Sequence, residues 1–191
     1  MTSDLLVRLA NPDDARAIAQ LLRGVFAETY GHAISHDALQ RYLDTAFSEE
    51  AIAHSGTAHL LAFCNDDLAG VSELTLSQPP TCVPTDAVEV SRFYVHSDYR
   101  GSGAADALLA ACEHHASERG HRTLWLCVWE SNPRAVAFYR KHGFAQIGAM
   151  DIVIEDTVFH DLVMMKQIPA NAPNPRPSPP SHTNPSNPRR G

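Results

Sequence analysis

Two spacings of apolar positions alternate along the first 168 residues. Leu5–Leu9 is a short apolar run that reads as a strand. Asn11 followed by Pro12 reads as a helix start: the Asn caps free amides, the Pro fits the first turn, and Asp13 and Asp14 sit at the positive helix end. Ala15, Ile18, Leu21, Leu22, Val25 and Phe26 then recur at helical spacing. Further helices are predicted over residues 35–46 and 48–54. Ala58–Cys64 and residues 68–76 read as strands joined by a turn at Asn65-Asp66-Asp67. Residues 77–86, with Pro79, Pro80 and Pro84, read as a loop.

Val88–Val95 is predicted as the central strand and residues 96–103 as a loop. A helix over 104–119 follows, ended by Gly120. Its apolar stripe is Ala105, Leu108, Leu109, Cys112 and Ala116, with Asp106, Glu113 and Glu118 in solvent. Residues 124–128 form a strand, and Asn132-Pro133 opens a helix that stops at Gly143. Residues 145–148 and 161–166 are the closing strands, with 152–155 a fragment of another. This order predicts an α/β (α+β) domain: a mixed sheet with helices on both faces.

Composition narrows the class. The chain has 191 residues, 44% apolar and 19% charged, which suits one domain with a buried core. No apolar run reaches the roughly 18 residues of a membrane helix, so no membrane partner is expected. The opening MTSDLLVRLANPDD lacks a basic start and a long apolar stretch, so no signal peptide and a cytoplasmic location are expected. Cys64, Cys82, Cys112 and Cys127 are widely spaced without a CxxC pair, which fits reduced thiols. His114 and His115 are adjacent on a helix and face different ways, so no metal is expected.

Residues 169–191 read as a separate tail. They hold 8 of the 13 prolines, lack apolar periodicity, and are expected as polyproline II or coil. The tail contributes Arg176, Arg189 and Arg190 and no acid, so residues 1–168 carry 12 Lys+Arg against 22 Asp+Glu, a balance of −10. A domain this acidic is a poor general nucleic-acid binder, and no nucleic-acid partner is expected. It can steer a cationic ligand.

The candidate chemistry begins where the central strand ends. Tyr99-Arg100-Gly101-Ser102-Gly103-Ala104-Ala105 opens directly onto a helix. Small residues let a ligand approach the backbone, free amides at a helix start point outward, and the helix dipole adds partial positive charge. Together they suit a phosphate or diphosphate. A Walker loop needs a Lys after its second glycine, and a dinucleotide fingerprint needs a third glycine after a first strand; neither is present. About thirty residues on, Asn132, Ala135, Tyr139, Gly143 and Phe144 form a second pattern. Asn132 caps a helix, and Ala135 and Tyr139, four apart, share one of its faces.

Arg100-x-x-Gly103-x-Ala105, led in by Phe93–Tyr99, resembles the signature of the GNAT acetyltransferase superfamily, and the second pattern resembles that superfamily's second motif. The resemblance implies a mostly antiparallel sheet whose central strands splay apart, often with a bulge in the first. It implies acetyl-CoA as cosubstrate, its diphosphate on Arg100, Gly101, Ser102, Gly103, Ala104 and Ala105. The backbone of Phe93, Tyr94 and Val95 would hold the acetyl group, Asn132 and Ala135 the pantetheine arm, and Tyr139 would be the general acid. Some members place a glutamate where Glu89 stands, as general base. By strand alternation Glu89 is expected on one face with Ser91, Phe93 and Val95.

Residues 124–132 with 135–139, including the turn Val128-Trp129-Glu130-Ser131-Asn132, are most similar to bacterial spermine/spermidine N-acetyltransferases. That implies a small-molecule amine acceptor, with a polyamine as the specific form. Glu28, Tyr30, His32, Glu155 and Asp156 are candidates for the acceptor wall. Acetylation of a protein N-terminus or lysine, and a non-catalytic acyl-CoA sensor, stay open as other readings. Homodimers are common among similar proteins.

Overall fold

The structure is a computed structural model that describes residues 4–170. The expectation of a proline-rich tail therefore falls, from residue 171 on, outside the described residues. Seven strands form one sheet: β1 (Leu5–Leu9), β2 (Ala58–Cys64), β3 (Asp67–Thr75), β4 (Val88–Val95), β5 (Thr123–Trp129), β6 (Ala145–Ile154) and β7 (Thr157–Gln167), in the order β1-β2-β3-β4-β5-β7-β6. Every neighbouring pair is antiparallel except β4 and β5.

Helices cover both faces. α1 (Ala15–Tyr30), α2 (His36–Ala46) and α3 (Glu49–Ala53) cover one, and α4 (Ala104–Glu118) and α5 (Pro133–Lys141) the other. The α1 stripe is buried at Ala15, Ile18, Leu21, Leu22, Val25 and Phe26, as its spacing predicts. Ser35 and Ser48 cap α2 and α3 through their side chains. Asn65 and Asp66 both take positive φ, which suits the twist of a two-residue hairpin turn.

Three local expectations change. The fragments 145–148 and 152–155 belong to one long strand, β6, which pairs with β7 as a hairpin. A register shift between Gln146 and Gly148 leaves Ile147 as an extra residue and breaks the alternation that would have joined them. On α4, Ala104 is in the core, and Ala105 is only partly buried. Glu113 is not solvated: it pairs with Lys166 of β7 at 2.5 Å.

One irregularity matters for function. Glu73 of β3 pairs with Arg92 of β4, and the next residue Leu74 pairs with Val90, so Ser91 is a bulge. Val90 before the bulge and Phe93 after it can thus both face α4. Arg92 points to the opposite side, over the Phe47 ring and 3.0 Å from buried Glu73. Glu73 also lies 3.3 Å from His59. Burial pushes the Glu73 carboxyl up, but His59 and Arg92 outweigh this and hold it below the usual range.

Candidate active site

β4 and β5 pair only at Val88–Leu124 and Glu89–Trp125. Beyond that point the two parallel strands part, and β4 is laddered only to β3. The gap is part of a cavity of about 610 Å³. It runs from the loop before α4, between the parted strands, to the face covered by α1 and β6–β7.

At the first end, Gly101 and Gly103 have φ of +80° and +89°. These left-handed positions are costly for any residue with a Cβ, which explains the Gly-x-Gly pattern. A Cβ on Gly103 would also lie 3.3 Å from Leu5 Cδ1. Arg100, Gly101, Gly103 and Ala105 line the cavity, whereas Ser102 and Ala104 do not. The expectation that successive amides all face outward is therefore modified. The Arg100 amide donates to Ser97 O, the Ser102 amide to Tyr99 O, and the Ala104 amide to Ser102 Oγ. Ser102 organises the turn from within.

Two guanidiniums flank this end. Arg100 Nη2 donates to Glu28 Oε1 at 2.5 Å, and Arg134 of α5 lines the cavity beside it. Burial and the Arg100 charge both lower the Arg134 pKa. One carboxylate, Glu28, thus faces two cations. Glu28 belongs to this end, contrary to its expected place on an acceptor wall.

α5 supplies the middle. Asn132 Oδ1 caps the helix by accepting from the Ala135 amide at 3.2 Å. Asn132, Ala135, Phe138 and Tyr139 all line the cavity. Tyr139 is 7% exposed and stands edge-on to Phe93, with ring centroids 6.0 Å apart. Burial raises its phenol well above the ordinary value, so it stays a proton donor through neutral pH. Phe93 and Val95 pack on the α4 side, while Tyr94 turns to the α1 side.

The bulge corrects the expected facing of Glu89. Val88 and Val90 share the α4 face with Phe93 and Val95, so Glu89 lies on the other face, with Arg92 and Tyr94. There it lines the far end of the cavity and accepts a short hydrogen bond from Ser77 Oγ. Burial pushes its carboxyl up; the Ser77 bond opposes this and the Glu73 charge adds to it.

The far end is aromatic and acidic. Phe26, Tyr30, Tyr42, Met150, Ile154 and Phe159 are among its lining. Tyr30, a candidate for the acceptor wall, lines this end. His32 instead lies against Trp129, ring centroids 5.6 Å apart, and does not line the cavity. Glu155 and Asp156 form the β6–β7 turn, where Glu155 pairs with Arg41 at 2.9 Å. Cys127 is partly exposed and lines the cavity. Burial, Asp161 and Glu89 push its thiol up to about 12, so it is no thiolate nucleophile.

Asp161 of β7, expected from the sequence as the start of a closing strand and not as a site residue, also lines the cavity. It is 9% exposed, and its Oδ1 is buried without a hydrogen-bond partner. Burial pushes its carboxyl up to about 6, with the Glu130 charge adding to the shift. A lone acid in a closing strand carries no sequence signal of this kind. Among the described residues no three His, Cys, Asp or Glu side chains converge as a metal site, and no helix is long and apolar enough to cross a membrane.

Comparison with known proteins is consistent with this geometry. An N-acetyltransferase of Lactobacillus delbrueckii subsp. lactis is 25% identical over 173 residues, covering 88% of this chain and 99% of its own. A GNAT-family acetyltransferase structure from Streptococcus pneumoniae is 27% identical, with a TM-score of 0.61, over 87% of this chain and 100% of that one. The PaiA N-acetyltransferase of Thermoplasma acidophilum, solved with coenzyme A, is 21% identical and shares the fold with a TM-score of 0.68, over 85% and 98% of the two chains. The family model of the GNAT acetyltransferases matches residues 17–144, which span β4, the glycine turn, α4, β5 and α5. The chain belongs to the GNAT acetyltransferase family.

Proposed function

We propose that residues 1–168 transfer an acetyl group from acetyl-CoA to the primary amine of a small molecule, by direct attack in a ternary complex. The observation that carries this reading is the polarity of the cavity. Arg100, Arg134 and a glycine turn stand at one end, Glu89 and Asp161 at the other, and parted strand edges lie between. An anionic coenzyme and a cationic acceptor can thus enter from opposite sides and meet at the gap.

Acetyl-CoA would supply the activated acyl group as a thioester. The turn at Gly101, Gly103 and Ala105, with both arginines, suits its diphosphate, because the left-handed glycines hold a tight turn with no side chain over the backbone. Ser102 and Ala104 shape that turn. The β4 edge at Phe93, Tyr94 and Val95 is free of β5 and can accept the pantetheine arm as an added strand. A main-chain amide there can stabilise the oxyanion, an effect typically worth about 3–4 kcal/mol. Asn132 and Ala135 border the arm.

Glu89 takes the proton of the acceptor ammonium, and its raised pKa keeps it a competent base near neutrality. The amine nitrogen then bonds to the acetyl carbon as the carbon–sulfur bond breaks. Tyr139 gives its proton to the departing sulfur and regains one from the nitrogen, which sheds its second proton as it becomes the amide. No cysteine participates, since Cys127 is held as a neutral thiol. The acceptor we infer first is a polyamine, on the likeness of residues 128–132 to that group and the −10 balance of residues 1–168.

The test is acetyl-CoA-dependent thiol release with a panel of amines and peptides, beside calorimetry with coenzyme A. Heat of binding with thiol release from amines is the expected result. Turnover of peptides alone would move the acceptor to protein. Binding without release from any acceptor would make the chain a sensor.

A further inference from the structure

We propose that Asp161 holds a second, non-reacting ammonium of the acceptor, so that the site is built for an amine charged at both ends. The inference deepens the acetyl-transfer reading and rests on it. It starts from the two carboxylates of the far half of the cavity. Among the described residues neither Glu89 nor Asp161 has an ion-pair partner. Glu89 is satisfied by Ser77. Asp161 differs: its Oδ1 is buried without a hydrogen-bond donor. A buried charge without a partner is expensive to keep, which makes it a candidate for a ligand cation.

Register fixes how far apart the two groups stand. Glu89 is level with Trp125, and Asp161 is level with Trp129. The four-residue step between them along β5 is roughly 13 Å at about 3.3 Å per residue. Both side chains lie on the α1 side of the sheet, since Cys127 between them is raised by both charges. One ammonium cannot serve both carboxylates over that span. The lining in this half offers apolar and aromatic surface from Phe26, Tyr30, Ile154 and Phe159, which suits methylenes. Rings of Tyr30 and Phe159 also favour a cation near Asp161.

The division of labour follows. The proximal nitrogen loses its proton to Glu89 and is acetylated. The distal nitrogen keeps its proton and stays at Asp161. The titratable groups around Asp161 are Glu130 in the turn after β5, Tyr30 of α1, Cys127 of β5, and His160 and Asp151, which line a second pocket with Asp161 and Glu130. The imidazole among them, His160, is committed to Asp151 at 2.6 Å. With its carboxyl near 6, Asp161 is ionised at neutral pH and gains a proton on mild acidification.

The experiment compares cadaverine with pentylamine, which have the same carbon chain and differ in one amino group. Wild-type protein should favour cadaverine by about ten- to a hundredfold in kcat/KM, through KM, as a charged hydrogen bond does. Asp161→Asn should remove that preference by raising the cadaverine KM to the pentylamine value. The wild-type preference should also fade below about pH 6. Equal use of the two amines by wild-type protein overturns the proposal without any variant. A preference that survives Asp161→Asn overturns it too, as does turnover of neither amine. Calorimetry with coenzyme A reads the underlying assignment separately: loss of that signal in wild-type protein fails acetyl transfer itself, whereas its retention confines the failure to the second ammonium.

Discussion

The two ends of the cavity are built differently. The end proposed for the coenzyme comes from contiguous pieces of chain: the turn at 99–105 and the first two turns of α5. Its shape is set by local backbone, through left-handed glycines and a capping Asn. The acceptor end draws side chains from α1, α2, β4, β6 and β7, and the backbone contributes little. A diphosphate is the same for every member of a family, so main-chain amides in a fixed turn are enough. An acceptor differs from member to member, and side chains from distant segments can change one at a time without disturbing the turn.

Several variants would break or sharpen that contrast. Tyr139→Phe, at the junction, should lower kcat by about a hundred- to ten-thousandfold with coenzyme affinity retained, as loss of a general acid does. A wild-type rate would remove Tyr139 from the acid role. On the acceptor side, Glu89→Gln should cost about a hundredfold in kcat/KM. Because the Glu89 carboxyl is raised, the wild-type rate should fall as pH drops through that raised value, and the variant should lose this acidic limb. An unchanged pH–rate profile would end the assignment.

On the coenzyme side, Gly103→Ala puts a Cβ at φ +89° and near Leu5, and should weaken coenzyme A binding about tenfold in calorimetry. The same change should leave acceptor KM alone; a shift there instead would show that the two ends are not independent. Asp161→Asn gives a smaller, purely physical effect. A carboxyl at about 6 in the folded chain and 3.8 otherwise weakens the fold as pH rises through that window. Melting curves of wild-type protein should therefore fall below those of the variant between about pH 4 and pH 7, and coincide in stronger acid. Smallest of all, Glu28→Gln frees Arg100 from an exposed pair and should tighten coenzyme A binding by less than about fivefold. Weaker binding would mean that Glu28 positions the arginine rather than competing for it.

The ease of reading the sequence follows the same division. Gly101, Gly103, Asn132 and Gly143 announce themselves because each answers a local demand, a positive φ or a helix cap, which a neighbour or two can define. Glu89 was legible as a residue but not in its direction. Alternation put it beside Phe93, and the bulge at Ser91 reversed the parity between them. Glu28 looked like an acceptor contact because it stands near Tyr30 in sequence, yet two positions on a helix point about 200° apart, one towards Arg100 and the other towards Phe159. Asp161 was legible as the start of a closing strand, but not its burial in the cavity.

The sequence by itself determined the alternating elements, the glycine turn with its anion chemistry, and the cap-and-tyrosine helix, since each is decided within a few residues by φ, hydrogen bonding and helical period. Tertiary structure alone decided that β4 and β5 part after two residue pairs, that Glu89 faces α1, and that Asp161 is sealed into the same cavity. Those outcomes depend on strand register and on burial between segments more than a hundred residues apart, such as α1 and β7, and no local pattern encodes how much water a side chain will lose.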